Sequence, residues 1–282
     1  MRSNQSTSAG FRFHTGDCVK GMAKYVPDAS VDVVVTSPPY NLGIKYSKYD
    51  DKLAADEYLE WTKKWAGEVR RCLKPGGSFF LNVAGSLKEP MLPYSVINLL
   101  VGEGIFKLQN TIHWIKSIAM PTDEGSEKQR GHYKPINSQR FLNDCYEPVF
   151  HLTLEGTTKL DRLAIGVPYA DKSNIARWGH TDGKDVKCRG NTWFIPYKTI
   201  TRRAKDRPHP ATFPTALAEQ CMKLHGIRKD LVVMDPFLGI GHSAMAAARC
   251  GVGRFIGFDI DSEYLKVAVE EMESAEWAVS LS

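Results

Sequence analysis

Four consecutive residues near the N-terminus combine backbone rigidity with hydrogen-bond acceptors. Ser37, Pro38, Pro39 and Tyr40 directly follow the apolar run Val31–Thr36. Each proline fixes its φ angle and lacks a backbone N–H, so the segment presents carbonyl and hydroxyl oxygens followed by an aromatic ring. Such a row of acceptors suits a substrate that donates hydrogen bonds, for example an exocyclic amino group. The alternative for these four residues alone is a strand-terminating turn with Tyr40 in the core.

A second candidate site is a glycine-containing turn near the C-terminus. Gly239, Gly241 and Ala244 fit the nucleotide-binding pattern G-x-G-x-x-G/A, and Asp259 follows Gly239 by 20 residues. Glycines in such a turn let the backbone approach a ligand, and the distant carboxylate can bind ribose hydroxyls. The pattern predicts a site for a cofactor that contains a nucleoside, and an ordinary strand-to-helix turn is the alternative.

Asp235 distinguishes between two cofactors that fit this pattern, NAD(P) and S-adenosylmethionine (AdoMet). It ends the predicted strand before the glycine turn, where the pyrophosphate of a dinucleotide would otherwise lie. A carboxylate repels a pyrophosphate but attracts the ammonium group at the methionine end of AdoMet. The residues therefore favour AdoMet, and an NAD-dependent oxidoreductase is the alternative.

Both segments belong to a regular alternation of predicted strands and helices. The predicted strands are Phe11–Thr15, Val31–Thr36, Ser78–Val83, Phe106–Ile115, Glu147–Leu154, Leu231–Met234 and Arg254–Phe258. The predicted helices are Cys18–Tyr25, Ala55–Leu73, Tyr94–Gly102, Pro214–His225, Gly241–Cys250 and Glu263–Met272. This alternation predicts an α/β fold with a doubly wound, mostly parallel sheet. Ligands bind at the carboxyl ends of such strands, where the pattern places Ser37 and Asp235.

Composition excludes several classes of protein. Of the 282 residues, 43% are hydrophobic and 24% are charged, which excludes a disordered, collagen-like or coiled-coil chain. None of the six cysteines forms a CxxC pair, so we expect neither a metal site nor a secreted disulfide framework. The sequence shows neither the pattern of a signal peptide nor an apolar run long enough for a membrane span. We therefore expect a cytoplasmic protein.

The positive charge is concentrated in one segment of the chain. The formal net charge is +5, and the stretch from Lys116 to Lys205 holds 16 Lys and Arg residues against 10 Asp and Glu residues. This stretch is rich in polar residues and glycine, and it interrupts the regular alternation of elements. A concentrated basic region favours binding to nucleic acid, and the alternative is a solvated basic surface.

Together, the two motifs resemble the amino-methyltransferases of DNA, which methylate cytosine N4 or adenine N6. Ser37–Tyr40 matches the catalytic signature [D/N/S]-P-P-[Y/F/W], and Asp235–Gly241 matches the cofactor signature D-P-F-x-G-x-G. The catalytic motif comes first, which resembles the β class of prokaryotic restriction-modification systems. The resemblance extends from Gly16 to about Met272. It implies a circularly permuted form of the seven-stranded AdoMet-dependent methyltransferase fold, with a loop-rich target-recognition insertion.

The resemblance also implies roles for individual residues. The residues implied to bind AdoMet are Asp17, Cys18, Thr212, Asp235, Phe237, Gly239, Gly241, Ser243 and Asp259. Asp17 corresponds to the acid that meets the adenine amino group, and Thr212 lies in a segment that covers the methionine end. The Ser37 hydroxyl and the Pro38 carbonyl oxygen are implied acceptors for the target amino group, and Tyr40 is implied to stack on the base.

The basic segment corresponds by position to the target-recognition region of that family. The residues expected to contact DNA are Trp114, Lys116, Arg202 and Arg203. The expected division is a catalytic half over 11–115, a recognition insertion over 116–205 with a returning core strand near 147–154, and an AdoMet-binding half over 206–274. Two positions depart from the family, because His242 and Ser243 stand where Ser-Thr or Thr-Thr is usual.

The implied activity is site-specific methylation of a flipped-out cytosine at N4 in double-stranded DNA. Serine in the first motif position favours cytosine, although a neutral hydroxyl does not exclude adenine N6. Three further classes of protein are alternatives to this interpretation. They are an amino-methyltransferase for RNA or for protein glutamine, the oxidoreductase, and a non-catalytic DNA-binding relative. The resemblance also allows a cognate restriction endonuclease as a partner, with the protein a monomer or a homodimer.

Overall fold

A computed structural model of the chain describes residues 10–44, 46–121, 127–131, 138–142, 144–177, 179, 182–198 and 212–282. Its strands are β1 (Phe11–Thr15), β2 (Val31–Thr36), β3 (Leu73–Asn82), β4 (Lys107–Pro121), β5 (Glu127–Gly131), β6 (Tyr146–Thr153), β7 (Thr192–Lys198), β8 (Val232–Asp235), β9 (Arg254–Asp259) and β10 (Val279–Leu281). Its helices are α1 (Cys18–Tyr25), α2 (Ala55–Cys72), α3 (Leu92–Gly102), α4 (Asn174–Arg177), α5 (Thr215–His225), α6 (His242–Arg249) and α7 (Ser262–Ser274).

All ten of these strands belong to one sheet. Its order is β10-β1-β9-β8-β2-β3-β6-β4-β5, and β7 pairs with β4 beside this path. The neighbours from β10 to β3 are parallel, whereas β6 pairs antiparallel with both β3 and β4. The predicted α/β fold with a mostly parallel sheet is therefore confirmed, with more strands than the sequence predicts.

Helices cover both faces of the parallel part of the sheet. All six residues of β2 are buried, and successive side chains of a strand point to opposite faces. Val33 and Val35 pack in the hydrophobic core that holds residues of α5, α6 and α7, while Val31 and Val34 pack in the core that holds residues of α1, α2 and α3. Burial on both faces explains why β2 is a continuous β-branched run rather than an alternating one.

The basic segment contributes directly to the sheet. β4 passes without interruption through position 116, and β7 pairs with it in parallel from His113 to Ala119. The sequence analysis did not predict β7, because Pro196 lies within it and proline removes a ladder donor. Burial alternates along β7, since Trp193 and Ile195 are buried while Phe194 is 61% exposed, but all three side chains are apolar, so the sequence shows no alternation.

The helices of the described ranges do not include a membrane span. The longest of them, α2, has 18 residues, and none is both long enough and apolar enough to cross a bilayer. Its first half carries Asp56 and Glu57, and its buried side faces the sheet core. The helix is therefore amphipathic and packs on the sheet, as its sequence period predicts.

Candidate active site

The carboxyl ends of five parallel strands open into one cavity of about 310 Å³. Its wall contains the residues that end or directly follow these strands, which are Gly16, Ser37, Asn82, Asp235 and Asp259. This is the edge at which doubly wound sheets bind ligands, and the volume is of the order expected for a small-molecule site. The fold therefore places the catalytic motif and the glycine turn around a single space.

Most of the residues singled out from the sequence line this cavity. They are Asp17, Cys18, Ser37, Pro38, Pro39, Tyr40, Trp114, Thr212, Asp235, Phe237, Gly239, Ser243 and Asp259. Gly241 and Lys116 are not among the residues that line it. Arg202 and Arg203 lie outside the described residues.

Asp235 is a buried carboxylate held by three donors. Its Oδ1 accepts hydrogen bonds from Thr36 Oγ1 at 2.5 Å and from the Phe237 amide at 3.0 Å, and its Oδ2 accepts one from Ser243 Oγ at 2.5 Å. Burial raises the pKa of this carboxyl to about 6, although the three hydrogen bonds oppose the shift. Ser243 thus orients Asp235, and Thr36 does so from 199 positions away in the chain.

Asp259 closes the other side of the glycine turn. Its Oδ2 accepts a hydrogen bond from the Gly239 amide at 2.8 Å, and its Oδ1 accepts one from the Asp261 amide at 2.9 Å. Burial raises the pKa of Asp259 to about 6 as well, and its charge adds to the raised pKa of Asp235. A buried carboxylate and a partly buried one therefore share one cavity, which is an arrangement that attracts a cationic ligand.

The remaining predicted cofactor residues shape the cavity in different ways. Asp17 caps α1, since its side chain accepts a hydrogen bond from the Lys20 amide at 2.9 Å. Burial raises the pKa of the Cys18 thiol, so this residue contributes a neutral surface. Gly241 precedes α6 with a φ of +88°, and a Cβ at this position would lie 2.8 Å from the Cβ of Ala268. Glycine is needed there for the turn and for helix packing.

The catalytic motif is fixed by hydrogen bonds from three directions. Ser37 Oγ lies 2.7 Å from Tyr40 Oη, and the Tyr40 hydroxyl donates to Glu147 Oε2 at 3.3 Å. The carbonyl oxygen of Pro39 accepts a hydrogen bond from the Tyr58 hydroxyl at 2.8 Å. The motif is therefore a rigid segment of the cavity wall, as its two prolines predict.

Two polar residues near the catalytic motif, Asn82 and Glu147, line the cavity and were missed by the sequence analysis. Asn82 Nδ2 donates to Glu147 Oε2 at 3.0 Å, and Lys116 Nζ lies 2.6 Å from Glu147 Oε1. Asn82 ends a buried strand, so the carboxyl-end rule that singled out Ser37 and Asp235 applies to it too. Glu147 is the second residue of the antiparallel strand β6, and no local pattern marks it.

The loop between Asn41 and Leu53 was also missed. The Asp51 carboxylate accepts hydrogen bonds from the amides of Asn41, Leu42 and Ile44 at 2.7–3.0 Å. The Asn41 side chain both donates to and accepts from the Leu53 backbone, at 2.8 and 2.7 Å. Such side-chain turns are typical of Asn and Asp. The loop residues that reach the cavity wall are Tyr46, Lys48 and Tyr49.

The comparison with protein families identifies the chain. The model of the family N6_N4_Mtase, described as DNA methylase, matches residues 31–270. The chain belongs to this DNA methylase family. Members of this family use AdoMet to methylate amino groups in DNA, and this DNA methylase therefore takes AdoMet as its cofactor. Its cavity suits a cationic cofactor that carries a nucleoside, because the carboxylates of Asp235 and Asp259 both line it and supply negative charge and hydrogen-bond acceptors.

The DNA methylase is similar to curated relatives and solved structures over nearly its whole length. The Type II methyltransferase M.ScaI of Streptomyces caespitosus is 29% identical over 280 residues, which are 95% of this chain and 83% of the relative. The Type II methyltransferase M.HpaI of Haemophilus parainfluenzae is 28% identical over 251 residues, which are 89% of this chain and 71% of the relative. The structure of TTHA0409 from Thermus thermophilus with AdoMet has a TM-score of 0.62 at 24% identity, covering 96% and 97% of the two chains.

A further structure shares the fold of the DNA methylase. The PvuII DNA methyltransferase, described as cytosine-N4-specific, has a TM-score of 0.66 at 18% identity, covering 97% of this chain and 95% of that chain. At such identities the two solved structures establish the fold alone. They confirm that this chain has the architecture of an AdoMet-dependent methyltransferase.

Proposed function

We propose that this DNA methylase transfers the methyl group of AdoMet to N4 of a cytosine at a specific site in double-stranded DNA. The observation that carries the proposal is the position of the Ser37 hydroxyl, in the wall of the same cavity as Asp235 and Asp259. Serine in the first motif position favours cytosine over adenine by resemblance to the family. The cytosine-N4-specific PvuII enzyme, which shares the fold, is consistent with this choice.

The chemistry required of the chain is to make a weak nucleophile reactive. The lone pair of an exocyclic amino group is delocalised into the base, and acceptors on its N–H bonds favour a pyramidal nitrogen with the lone pair free. We assign this task to the Ser37 hydroxyl and the Pro38 carbonyl oxygen, with Tyr40 stacked on the base. AdoMet supplies the activated methyl group. Positioning and fixed dipoles account for most of the acceleration in such a site.

The base must leave the duplex to reach these groups, at a cost of a few kcal/mol. The residues assigned to AdoMet are Asp235 for the ammonium group, Asp259 for the ribose hydroxyls and Asp17 for the adenine amino group. Thr212 and its neighbour Phe213 line the cavity beside the glycine turn, which supports a role in covering the methionine end.

We place the DNA-binding surface on the basic segment 116–205. Trp114 forms part of the cavity wall but is only 3% exposed, and its indole N–H donates to the Ile195 carbonyl at 2.9 Å. Lys116 forms an ion pair with Glu147 in the cavity wall, so its charge is directed to this carboxylate rather than to a phosphate. The phosphate contacts are therefore assigned to other basic residues of the segment, including Arg202 and Arg203.

The affinity for DNA should depend steeply on salt. We expect the logarithm of the association constant to fall linearly with the logarithm of the salt concentration, with a slope of about −0.9 for each phosphate neutralised. Replacing Arg202 and Arg203 with glutamine should flatten this slope by about 2, measured by fluorescence anisotropy. Lys266→Gln, on the exposed face of α7, is the matched control. An unchanged slope in the double variant would place the DNA-binding surface elsewhere.

The product nucleoside tests the proposed function directly. The protein is incubated with AdoMet carrying a tritiated methyl group and with DNA, RNA or protein, and labelled DNA is digested to nucleosides. We expect N4-methylcytosine in DNA. N6-methyladenine would reject cytosine as the target while leaving the family intact, and label in RNA or protein alone would reject DNA as the substrate.

We further propose that the methylated site protects cytoplasmic host DNA from a cognate restriction endonuclease, with the methylase acting as a monomer or a homodimer. The relatives M.ScaI and M.HpaI are described as Type II methyltransferases, which supports this role. Sequencing host DNA with detection of modified bases would return the recognition site.

A further inference from the structure

Glu147 lies in the wall of the cavity, and its two carboxylate oxygens have different partners. Oε1 is 2.6 Å from the Lys116 ammonium group, and the side chain of Glu147 is only 14% exposed. Oε2 accepts hydrogen bonds from Asn82 Nδ2 at 3.0 Å and from the Tyr40 hydroxyl at 3.3 Å. The adjacent ammonium group provides the opposite charge that a carboxylate in such a position requires.

Tyr40 connects Glu147 to the catalytic serine. Its Oη lies 2.7 Å from Ser37 Oγ on one side and 3.3 Å from Glu147 Oε2 on the other. Burial, with a contribution from the charge of Glu147, raises the pKa of Tyr40 well above its ordinary value. The phenol therefore keeps its single proton and has one hydrogen bond to donate.

The carboxylate sets the direction of both hydrogen bonds. An ionised carboxylate only accepts, so the Tyr40 proton points to Glu147. Tyr40 Oη can then only accept from its other neighbour, and the Ser37 proton points to Tyr40. The opposite orientation would set lone pairs of Tyr40 against a negative charge. With its proton used in this way, Ser37 Oγ offers only lone pairs to the cavity.

We propose that Glu147 is a positioning residue which, through Tyr40, makes the Ser37 hydroxyl an obligate acceptor for the amino group of the target base. The proposal rests on the proposed function. A serine with a freely rotating proton can also donate to the ring nitrogen beside the amino group, which holds the base without freeing the amino lone pair. Asp or Asn at position 37 would present an acceptor oxygen unaided, whereas serine needs its proton directed elsewhere.

The two oriented hydrogen bonds, from Ser37 to Tyr40 and from Tyr40 to Glu147, form a relay. Substitution of Glu147 by glutamine should reverse the direction of both bonds. The charged Lys116 ammonium group attracts the amide oxygen of Gln more strongly than the neutral Asn82 amide does, so the amide NH₂ faces Tyr40 and donates to it. The Tyr40 proton then turns to Ser37, and the Ser37 proton turns into the cavity. Tyr40→Phe retains the ring but leaves the serine proton free to rotate. Glu147→Gln should therefore be more harmful than Tyr40→Phe.

The decisive measurement is single-turnover methyl transfer to the DNA site identified for the wild type. We expect a roughly 100-fold lower rate for Glu147→Gln and a roughly 10-fold lower rate for Tyr40→Phe. The double variant should return to the rate of Tyr40→Phe, so the second change partly rescues the first. Glu219→Gln, which removes a carboxylate from an ion pair on α5, should retain the wild-type rate. The Kd for AdoMet should be unchanged in every variant.

A second comparison holds even if Glu147→Gln does not fold. In the Ser37→Ala background there is no hydroxyl to orient, so adding Tyr40→Phe should leave the rate within about twofold. Rates that multiply in this double variant, or a Glu147→Gln variant that Tyr40→Phe does not rescue, would overturn the relay. Failure of the wild type to methylate DNA would instead overturn the proposed function.

Discussion

Replacement of Ser37 by alanine should lower the single-turnover rate of methyl transfer roughly 10²–10³-fold, which corresponds to about 2.7–4 kcal/mol in the barrier. The change removes one of two acceptors for the target amino group. The hydroxyl lies in the wall of the cavity, and its described hydrogen bond is to Tyr40 rather than to the glycine turn. The Kd for AdoMet should therefore stay within about twofold of the wild-type value.

The measurement is rapid-quench transfer of labelled methyl groups with enzyme in excess over DNA, together with calorimetric titration of AdoMet. Ser274→Ala is the matched control, because its exposed hydroxyl only bonds to the backbone of its own helix. A wild-type rate for Ser37→Ala would leave the Pro38 carbonyl oxygen as the sole acceptor. A large rise in the Kd for AdoMet would assign Ser37 to the cofactor instead.

The affinity for AdoMet should fall as the pH is lowered through about 6. Burial raises the pKa values of Asp235 and Asp259 to about 6, and the ionised forms are the ones proposed to pair with the ammonium group and to accept from the ribose hydroxyls, respectively. At about pH 5 each carboxyl is mostly protonated, so both are ionised in about 1% of molecules. The Kd for AdoMet should accordingly rise roughly 100-fold between about pH 7.5 and about pH 5.

The same raised pKa values determine how the stability of the unliganded protein changes with pH. A carboxyl whose pKa is raised by folding stabilises the unliganded protein at low pH and loses that contribution as the pH rises through about 6. AdoMet should relieve this loss, so it should raise Tm more at neutral pH than at about pH 5. Isothermal calorimetry and thermal unfolding across this range provide both measurements.

The Asp235→Asn variant distinguishes the contribution of Asp235 to the pH dependence of AdoMet binding from that of Asp259. Its amide oxygen can still accept from Thr36 and from the Phe237 amide, so the turn should keep its shape while one titration is lost. We expect weaker binding at neutral pH and about half the slope of log Kd against pH. Asp230→Asn, in an exposed position before β8, should behave as the wild type. A pH-independent Kd for AdoMet in the wild-type protein would contradict this account of the cavity.

The sequence determined those features that depend on neighbouring residues. The β-branched run of Val31–Thr36 identified a strand buried on both faces, and the glycine pattern after Asp235 identified a strand, turn and helix. Both predictions are confirmed because side-chain alternation and turn geometry are local properties. The two motifs were also sufficient to indicate the family and its cofactor.

Elements without a local signal were not predicted. β7 contains Pro196 and lies in a polar segment, and only its pairing with β4 makes it part of the sheet. The loop from Asn41 to Leu53 depends on Asp51, whose carboxylate collects amides 7–10 positions earlier in the chain. Such turns have recognisable residue types, but nothing in the sequence states which amides they bind.

The tertiary structure alone decided how the site is assembled. Tyr40 and Glu147 are 107 positions apart, and Thr36 and Asp235 are 199 apart, so their hydrogen bonds exist only because the sheet order places their strands together. The chain determined by itself that an acceptor-rich motif and a cofactor turn are present. Which oxygen accepts from which donor, and which carboxylates lose their water, follow from burial and distance, and these are properties of the packed fold.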